Sequence, residues 1–495
     1  MKKKLILLFL LIYIALTSSG VDGEIGMSDY SLKNKRYLAH KHKIYKESIL
    51  NRAIKDEVHM KMDIIENFPY LYSLPALPII PPGGRVIKIG LYQNLKEVYI
   101  SCNGNYSIYS SSGKIIIDEN QVLSIKIPMG IIPSREIKKS GEIIKIKPQK
   151  MGNILNLIIK NTDYSYRVIS FRGNFNIFLN SRGFLTVINE LSLNEYLAGV
   201  VPNEMPSSFP LEALKAQSIV ARTYTLTHLG KHKEEGFDLC STVHCQVYGG
   251  LNTETITTNQ AVRETTHKMV FYGDNLADTV YHSTCGGLTA NVENVWQLPP
   301  VDYLKSVPTQ DSYNTFQSEE DFKEFINNPV ESFCQESRLF RWEKSYTRED
   351  LQNLLSESLP IILNYQAQLG DLIDISIERR SEDGRAQTLL IKGSLGEYRV
   401  KKDKIRWITS KGKINKDALP STLFYIDKPE ENIICFKGGG WGHGIGLCQF
   451  CAKGMALRGM NAEEIIEYFY PGCTLEVPDE KCEVKREKGN GRSEK

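Results

Sequence analysis

VVPNEMPSSFPLEALKAQSIVARTY, residues 200–224, decides what the rest of the chain must build. Pro202, Pro206 and Pro210 recur every four residues. A proline ring removes a backbone donor and biases the residue before it away from helix. The pattern therefore predicts a stiff, non-helical segment up to residue 210, with Glu204 carried on it. Pro210 suits the first position of a helix running to about Leu229, and Glu212 follows where a carboxylate can meet free first-turn N–H groups. Val200, Val201, Met205 and Phe209 are placed to strip water from the Glu204 carboxyl and raise its pKa, as a general acid requires. A nearby helix N-terminus pulls the other way. Taken alone, Glu204 could equally be a solvated loop glutamate or an ion-pair partner.

The flanking sequence sorts into segments. With 495 residues and 41% apolar content, the chain has enough material for more than one core. Sixty-one Lys+Arg against 58 Asp+Glu leave no global field to recruit nucleic acid or a membrane surface. Lys2–Lys4, an apolar run from Leu5 to Leu16 and the small residues Ser18, Ser19 and Gly20 read as an export signal or membrane anchor over residues 1–23. Residues 24–84 read as a helical segment closed by a Pro/Gly linker at Pro75–Gly84, and 85–165 as a small β-rich module of short runs such as VIKIGLY and LNLIIK. A mixed domain occupies 166–475, with helical character at 315–360 and hairpin-like alternation at 371–400. Residues 476–495 are a charged tail, expected to be disordered. The fold class is α+β.

HKEEGFDLCSTVHC, residues 232–245, offers His232, Cys240, His244 and Cys245 as a closed two-Cys two-His zinc site, a structural rather than catalytic arrangement. His228 or Cys285 could replace His232 as fourth ligand, and a Cys240–Cys245 disulfide is the alternative. Cys448 and Cys451, three apart, share a helix face and could pair with partners elsewhere. Glycines at 438, 439, 440, 442, 444 and 446 could let a ligand approach the backbone. They fit no nucleotide register, and the chain has neither H-E-x-x-H nor G-x-S-x-G.

Five blocks in order carry a resemblance: EYLAGVVPNEMPSSFPLEALKAQSIVARTY, HCQVYGG, YHSTCGGLTA, VWQLPPVDYLKSV and GGGWGHGIGLCQFCAKGMALRGMNAEEIIEYFYPG. Together they resemble the stage II sporulation protein D and amidase-enhancer family over about 166–475. The resemblance implies a peptidoglycan lytic transglycosylase, a secreted lyase of the cell wall. Such an enzyme breaks the bond between N-acetylmuramic acid and N-acetylglucosamine in peptide-free glycan and leaves 1,6-anhydro ends. The family's catalytic glutamate falls on Glu204. Its cleft positions fall on Lys215, Gln217, Arg222, Tyr224, His282 and His443, with the cleft between the Glu204 helix and the 438–446 loop. Zinc clusters like that of residues 232–245 are structural in the family.

Cys285, Cys448 and Cys451 depart from the usual pattern, which more often has serine or glycine there. Implied partners are glycan strands and a cell-wall amidase. The implied location is the cell wall or the outer face of the cytoplasmic membrane. The competing reading, from the same family, is a non-catalytic wall-binding protein that recruits or stimulates an N-acetylmuramoyl-L-alanine amidase.

Overall fold

The computed structural model describes residues 61–66 and 85–477, apart from 112, 120, 128–142, 163–164, 311–315 and 411–416. The export segment and most of the charged tail lie outside the described residues. Among those described, no helix is long and apolar enough to cross a membrane.

The first half is built of strands β1 (Lys61–Glu66), β2 (Val86–Leu95), β3 (Glu97–Cys102), β4 (Tyr106–Ser110), β5 (Gly113–Ile117), β6 (Gln121–Lys126), β7 (Ile144–Pro148), β8 (Leu155–Lys160), β9 (Tyr166–Phe171), β10 (Asn174–Leu179), β11 (Leu185–Ser192) and the short β12 (Leu239–Cys240). They form two sheets, ordered β1-β6-β3-β8-β9 and β12-β2-β11-β10-β7-β4-β5. Alternating apolar residues of both sheets, among them Ile87, Ile89, Val98, Ile100, Ile146, Leu157, Ile177 and Val187, close one core. Strands from either side of residue 165 pair within each sheet, so the β-rich stretch shares its core with the strands C-terminal to it. β1 falls inside the segment expected to be helical. Met60, Met62 and Ile64 alternate with polar residues, a period of two that favours a strand.

The helical layer packs on this core through α1 (Leu193–Glu204), α2 (Leu211–Thr227) and α3 (Ile256–Glu264). α1 corrects the expectation of a proline-stiffened loop: Glu204 is the last residue of a 12-residue helix that contains Pro202. Ser192 and Glu195 form a capping box at its start, and Tyr196, Leu197, Val200 and Val201 bury its inner face. Pro202 sits in the last turn, where little helix remains for it to disrupt. Met205 is then extended (φ −133°, ψ 131°), the conformation that a residue preceding a proline favours.

Residues from about 340 onward build a second core. α4 (Glu319–Asn327) and α5 (Arg348–Leu363) are separated by a strand, Trp342–Thr347, so the 315–360 stretch is helix, strand, helix. That strand pairs with Ile433–Gly438, which also pairs with Phe424–Glu430. Leu372–Arg380, Ala386–Gly393 and Glu397–Lys401 form an antiparallel meander, one strand more than a hairpin. Leu351, Leu355, Leu372, Ile391, Phe424 and Phe436 belong to this core. The chain then returns to the first core through α6 (Gln449–Leu457) and α7 (Ala462–Phe469).

Candidate functional site

The C-terminus of α1 aims Glu204 at the segment 245–248. One carboxylate oxygen accepts the Val247 N–H at 2.8 Å. Burial pushes the carboxyl above its ordinary pKa, against the Val247 N–H and the nearby Tyr281 hydroxyl, both of which favour the ionised form. The residue as a whole is only partly covered. Gln246 donates to the Tyr281 hydroxyl at 3.1 Å and accepts from Thr225 at 2.7 Å and Tyr196 at 3.3 Å. That arrangement fixes Tyr281 with its own proton free to point at Glu204. Tyr196, Tyr224 and Tyr281 all feel the Glu204 charge, so the acid stands among aromatic rings. Gln246 and Tyr281 are letters of the blocks HCQVYGG and YHSTCGG. Only the folding of those blocks against α1 gives them a role.

Two residues before Val247, the sequence-predicted metal ligands come together. Their ligand atoms lie within 4.8 Å of one another. His232 Nε2 and His244 Nδ1 are 3.3 Å apart; Cys245 Sγ lies 3.4 Å from His232 Nε2 and 3.6 Å from His244 Nδ1, and Cys240 Sγ lies 3.7 Å from His244 Nδ1. A tetrahedral ion with metal–nitrogen bonds of about 2.0–2.1 Å and metal–sulfur bonds of about 2.3 Å sets nitrogen–nitrogen edges of about 3.3 Å and sulfur–nitrogen edges of about 3.6 Å. The four residues fit one zinc ion. His232 Nδ1 is held by Glu235 at 3.0 Å, a carboxylate placed to fix the orientation of a ligating imidazole. The turn made by Thr242 and Cys245, with the Cys245 N–H on the Thr242 carbonyl at 3.0 Å, lets adjacent His244 and Cys245 face the same point.

Other expected cleft residues are placed differently. Gln217 is fully buried and accepts from Gln449 of α6 at 3.3 Å. Arg222 is 2% exposed, donates to Asn194 of α1 at 2.6 Å and reaches the Val262 carbonyl of α3; burial lowers its pKa to about 10. Both are braces between helices. Lys215 is clamped by Glu212 at 2.9 Å and Glu264 at 2.7 Å. Glu212 in turn accepts the Ala462 N–H, the first of α7, at 2.9 Å, so it serves a neighbouring helix rather than its own. Tyr224 is partly exposed, stacks on His228 with ring centres 4.0 Å apart, and meets Tyr281 edge to face; of the helix residues it fits a sugar contact best.

The two histidines are also taken up internally. His443 gives both ring nitrogens to the backbone, Nε2 to the Tyr281 carbonyl at 2.9 Å and Nδ1 to the Ile445 N–H at 3.1 Å. Burial holds its pKa down to about 4. It has no nitrogen left for substrate and instead positions the backbone of Tyr281. His282 is 4% exposed, bonds the Ile445 carbonyl through Nδ1 at 3.0 Å, and among the described residues its Nε2 has no partner.

On the side where a Cβ would stand, the glycine run packs closely against the protein's own chain. A Cβ on Gly440 (φ +85°) would meet the Thr284 carbonyl at 2.7 Å, and one on Gly446 (φ +66°) the Val280 carbonyl at 2.1 Å. Trp441, 53% exposed, is the part of this loop that faces solvent.

Residues 181–272 match the family model of the stage II sporulation protein, and residues 290–446 match one described as a domain of unknown function. An uncharacterised protein of Brachyspira hyodysenteriae is 28% identical over 303 residues, covering 60% of this chain and 70% of its own. The amidase enhancer of Bacillus subtilis is 27% identical over 394 residues, 77% of this chain but 51% of its own, so the chain spans about half of that relative. Stage II sporulation protein D of Bacillus subtilis is 24% identical over 308 residues, 59% of this chain and 76% of its own. Residues 181–272 thus carry a stage II sporulation protein domain, and the chain is similar to proteins named amidase enhancer and stage II sporulation protein D.

Proposed function

We propose that this protein works on the bacterial cell wall as a lytic transglycosylase that cleaves peptide-free glycan strands, with Glu204 as its acid/base. The observation that carries this is the carboxyl of Glu204, a partly exposed residue, desolvated enough to hold a proton at higher pH than an ordinary carboxylate. In the first step Glu204 protonates the glycosidic oxygen as the muramic C1–O bond breaks. In the second, the carboxylate takes the proton of the muramic C6 hydroxyl as that oxygen closes on C1, giving the 1,6-anhydro end and restoring the acid. No water is consumed.

Hydrolases of the usual kind need a second carboxylate as nucleophile or base. The hydrogen-bond partners of Glu204 are an N–H and a hydroxyl rather than a second carboxylate, and the next carboxyl acting on the same ring, that of Asp278, lies beyond Tyr224 beside His228. The Tyr281 hydroxyl stabilises the ionised carboxylate between the two steps. Tyr224 and Trp441 supply ring faces for sugar stacking.

We also propose that His232, Cys240, His244 and Cys245 hold zinc. With four protein ligands the ion has no open position, so its contribution is to fix the loop whose next residues present Gln246 and the Val247 N–H.

The test is incubation of the protein and its Glu204→Gln variant with peptide-free glycan, scoring 1,6-anhydro ends. The variant should lose about 100- to 10,000-fold in rate. Equal product from both would remove Glu204 from the chemistry. Glycan binding without cleavage by either would favour the amidase-enhancer reading, for which the β-sandwich that shares its core with the helical layer offers an additional surface.

A further inference from the structure

We infer a second metal site, formed by Cys285, Cys334, Cys448 and Cys451, that holds one zinc ion and staples the 290–446 stretch to the platform carrying Tyr281. The four side chains come from three distant segments: the loop after Tyr281–His282, the turn between α4 and the strand Trp342–Thr347, and the start of α6. All four are fully buried, and their sulfurs lie within 4.8 Å of one another. Cys285 Sγ is 3.6 Å from Cys334 Sγ and 3.5 Å from Cys451 Sγ. A tetrahedral zinc with bonds of about 2.3 Å sets sulfur–sulfur edges of about 3.8 Å. The spacing suits a single ion. A sulfide-bridged iron cluster, which interposes several irons and sulfides among its thiolates, needs them farther apart.

Hydrogen-bond donors face several of these sulfurs. Cys448 Sγ accepts two backbone N–H groups, from Cys285 at 3.3 Å and from Cys451 at 3.4 Å, the latter as N-cap of α6. The Thr309 hydroxyl lies 3.1 Å from Cys285 Sγ and the Ser332 hydroxyl 3.5 Å from Cys334 Sγ. Binding releases four thiol protons and leaves a site of net charge −2, which a buried position tolerates only with cations nearby. Two guanidinium groups are built into the ligand loop. Arg341 donates to the Gly286 carbonyl at 2.9 Å. Arg385, fully buried, donates to the carbonyls of Cys285 at 3.3 Å and Leu288 at 2.8 Å, while its Nε and Nη1 have no partner among the described residues.

The ion would set the position of Cys448, whose neighbour Leu447 pairs with Tyr281 and which itself pairs with His282. This site does not depend on the proposed chemistry of Glu204 or on the first zinc site.

Full-length protein purified without chelator from zinc-supplemented cells should hold two zinc per chain, and Cys334→Ser and Cys451→Ser one each. Cys240→Ser should also hold one. Its cobalt-loaded form should show the intense sulfur-to-cobalt charge-transfer bands of an all-thiolate tetrahedral site. Wild-type zinc content retained in both Cys334→Ser and Cys451→Ser would overturn the proposal. So would a cobalt-loaded wild type lacking the all-thiolate bands, or a mapped disulfide joining any two of the four cysteines in metal-loaded protein.

Discussion

At the scale of the residue, Glu204 shows how little a side chain's identity says until its neighbours are placed. Val200, Val201, Met205 and Phe209 announced a desolvating setting in the sequence, and all four lie in the core. The two groups that oppose desolvation, the Val247 N–H and the Tyr281 hydroxyl, come from 43 and more residues away and left no local mark. Because Tyr281 favours the carboxylate, Tyr281→Phe should raise the Glu204 pKa further and move the alkaline limb of the pH–rate profile upward. An unchanged limb would show that the hydroxyl does not act on the acid.

Stability should move the other way from activity. A carboxyl whose folded pKa lies above its unfolded value gives a contribution that is full below the unfolded pKa and lost as pH rises through the folded one. Glu204→Gln removes that pH-dependent loss while keeping an acceptor for Val247. Thermal unfolding should therefore show the variant's midpoint rising relative to the wild type's as pH climbs from the ordinary carboxylate range through the raised folded pKa, and a constant gap above it.

At the scale of the element, the end of α1 and the loop 232–245 act together. The convergence of His232, Cys240, His244 and Cys245 was legible because short-range spacing limits what a turn can bring together. The three prolines were misleading because local preference lost to burial: a capped helix with one face in the core outweighs a proline in its last turn. If zinc fixes the loop, chelation or Cys240→Ser should lower both the unfolding midpoint and the rate of glycan cleavage. The loop leads directly to Gln246 and Val247, which set Tyr281 and Glu204. A variant that loses the metal but keeps full cleavage would separate the loop from the site.

At the scale of the whole molecule, the β-sandwich and the helical layer are joined by a buried, bidentate pair. Arg172, just after β9, donates to Glu254, just before α3, through Nε at 2.7 Å and Nη2 at 2.8 Å, and Asn259 adds a third hydrogen bond to the same carboxylate at 2.7 Å. Glu254→Ala takes the bidentate partner from a guanidinium that is only 7% exposed and should cost about 3–5 kcal/mol in denaturant unfolding, whereas removing both partners together should cost less than the sum. What the sequence determined by itself was what local order can encode: the alternating strands, the α2 helix with its proline start, the Cys/His spacing of residues 232–245 and the ordered blocks. Only the tertiary structure decided that Glu204 ends a helix, that Gln217, Arg222 and His443 are spent on internal bonds, and that four cysteines from three distant segments converge. Those outcomes rest on burial and on contacts between residues far apart in the chain, and neither leaves a periodic trace for a sequence to show.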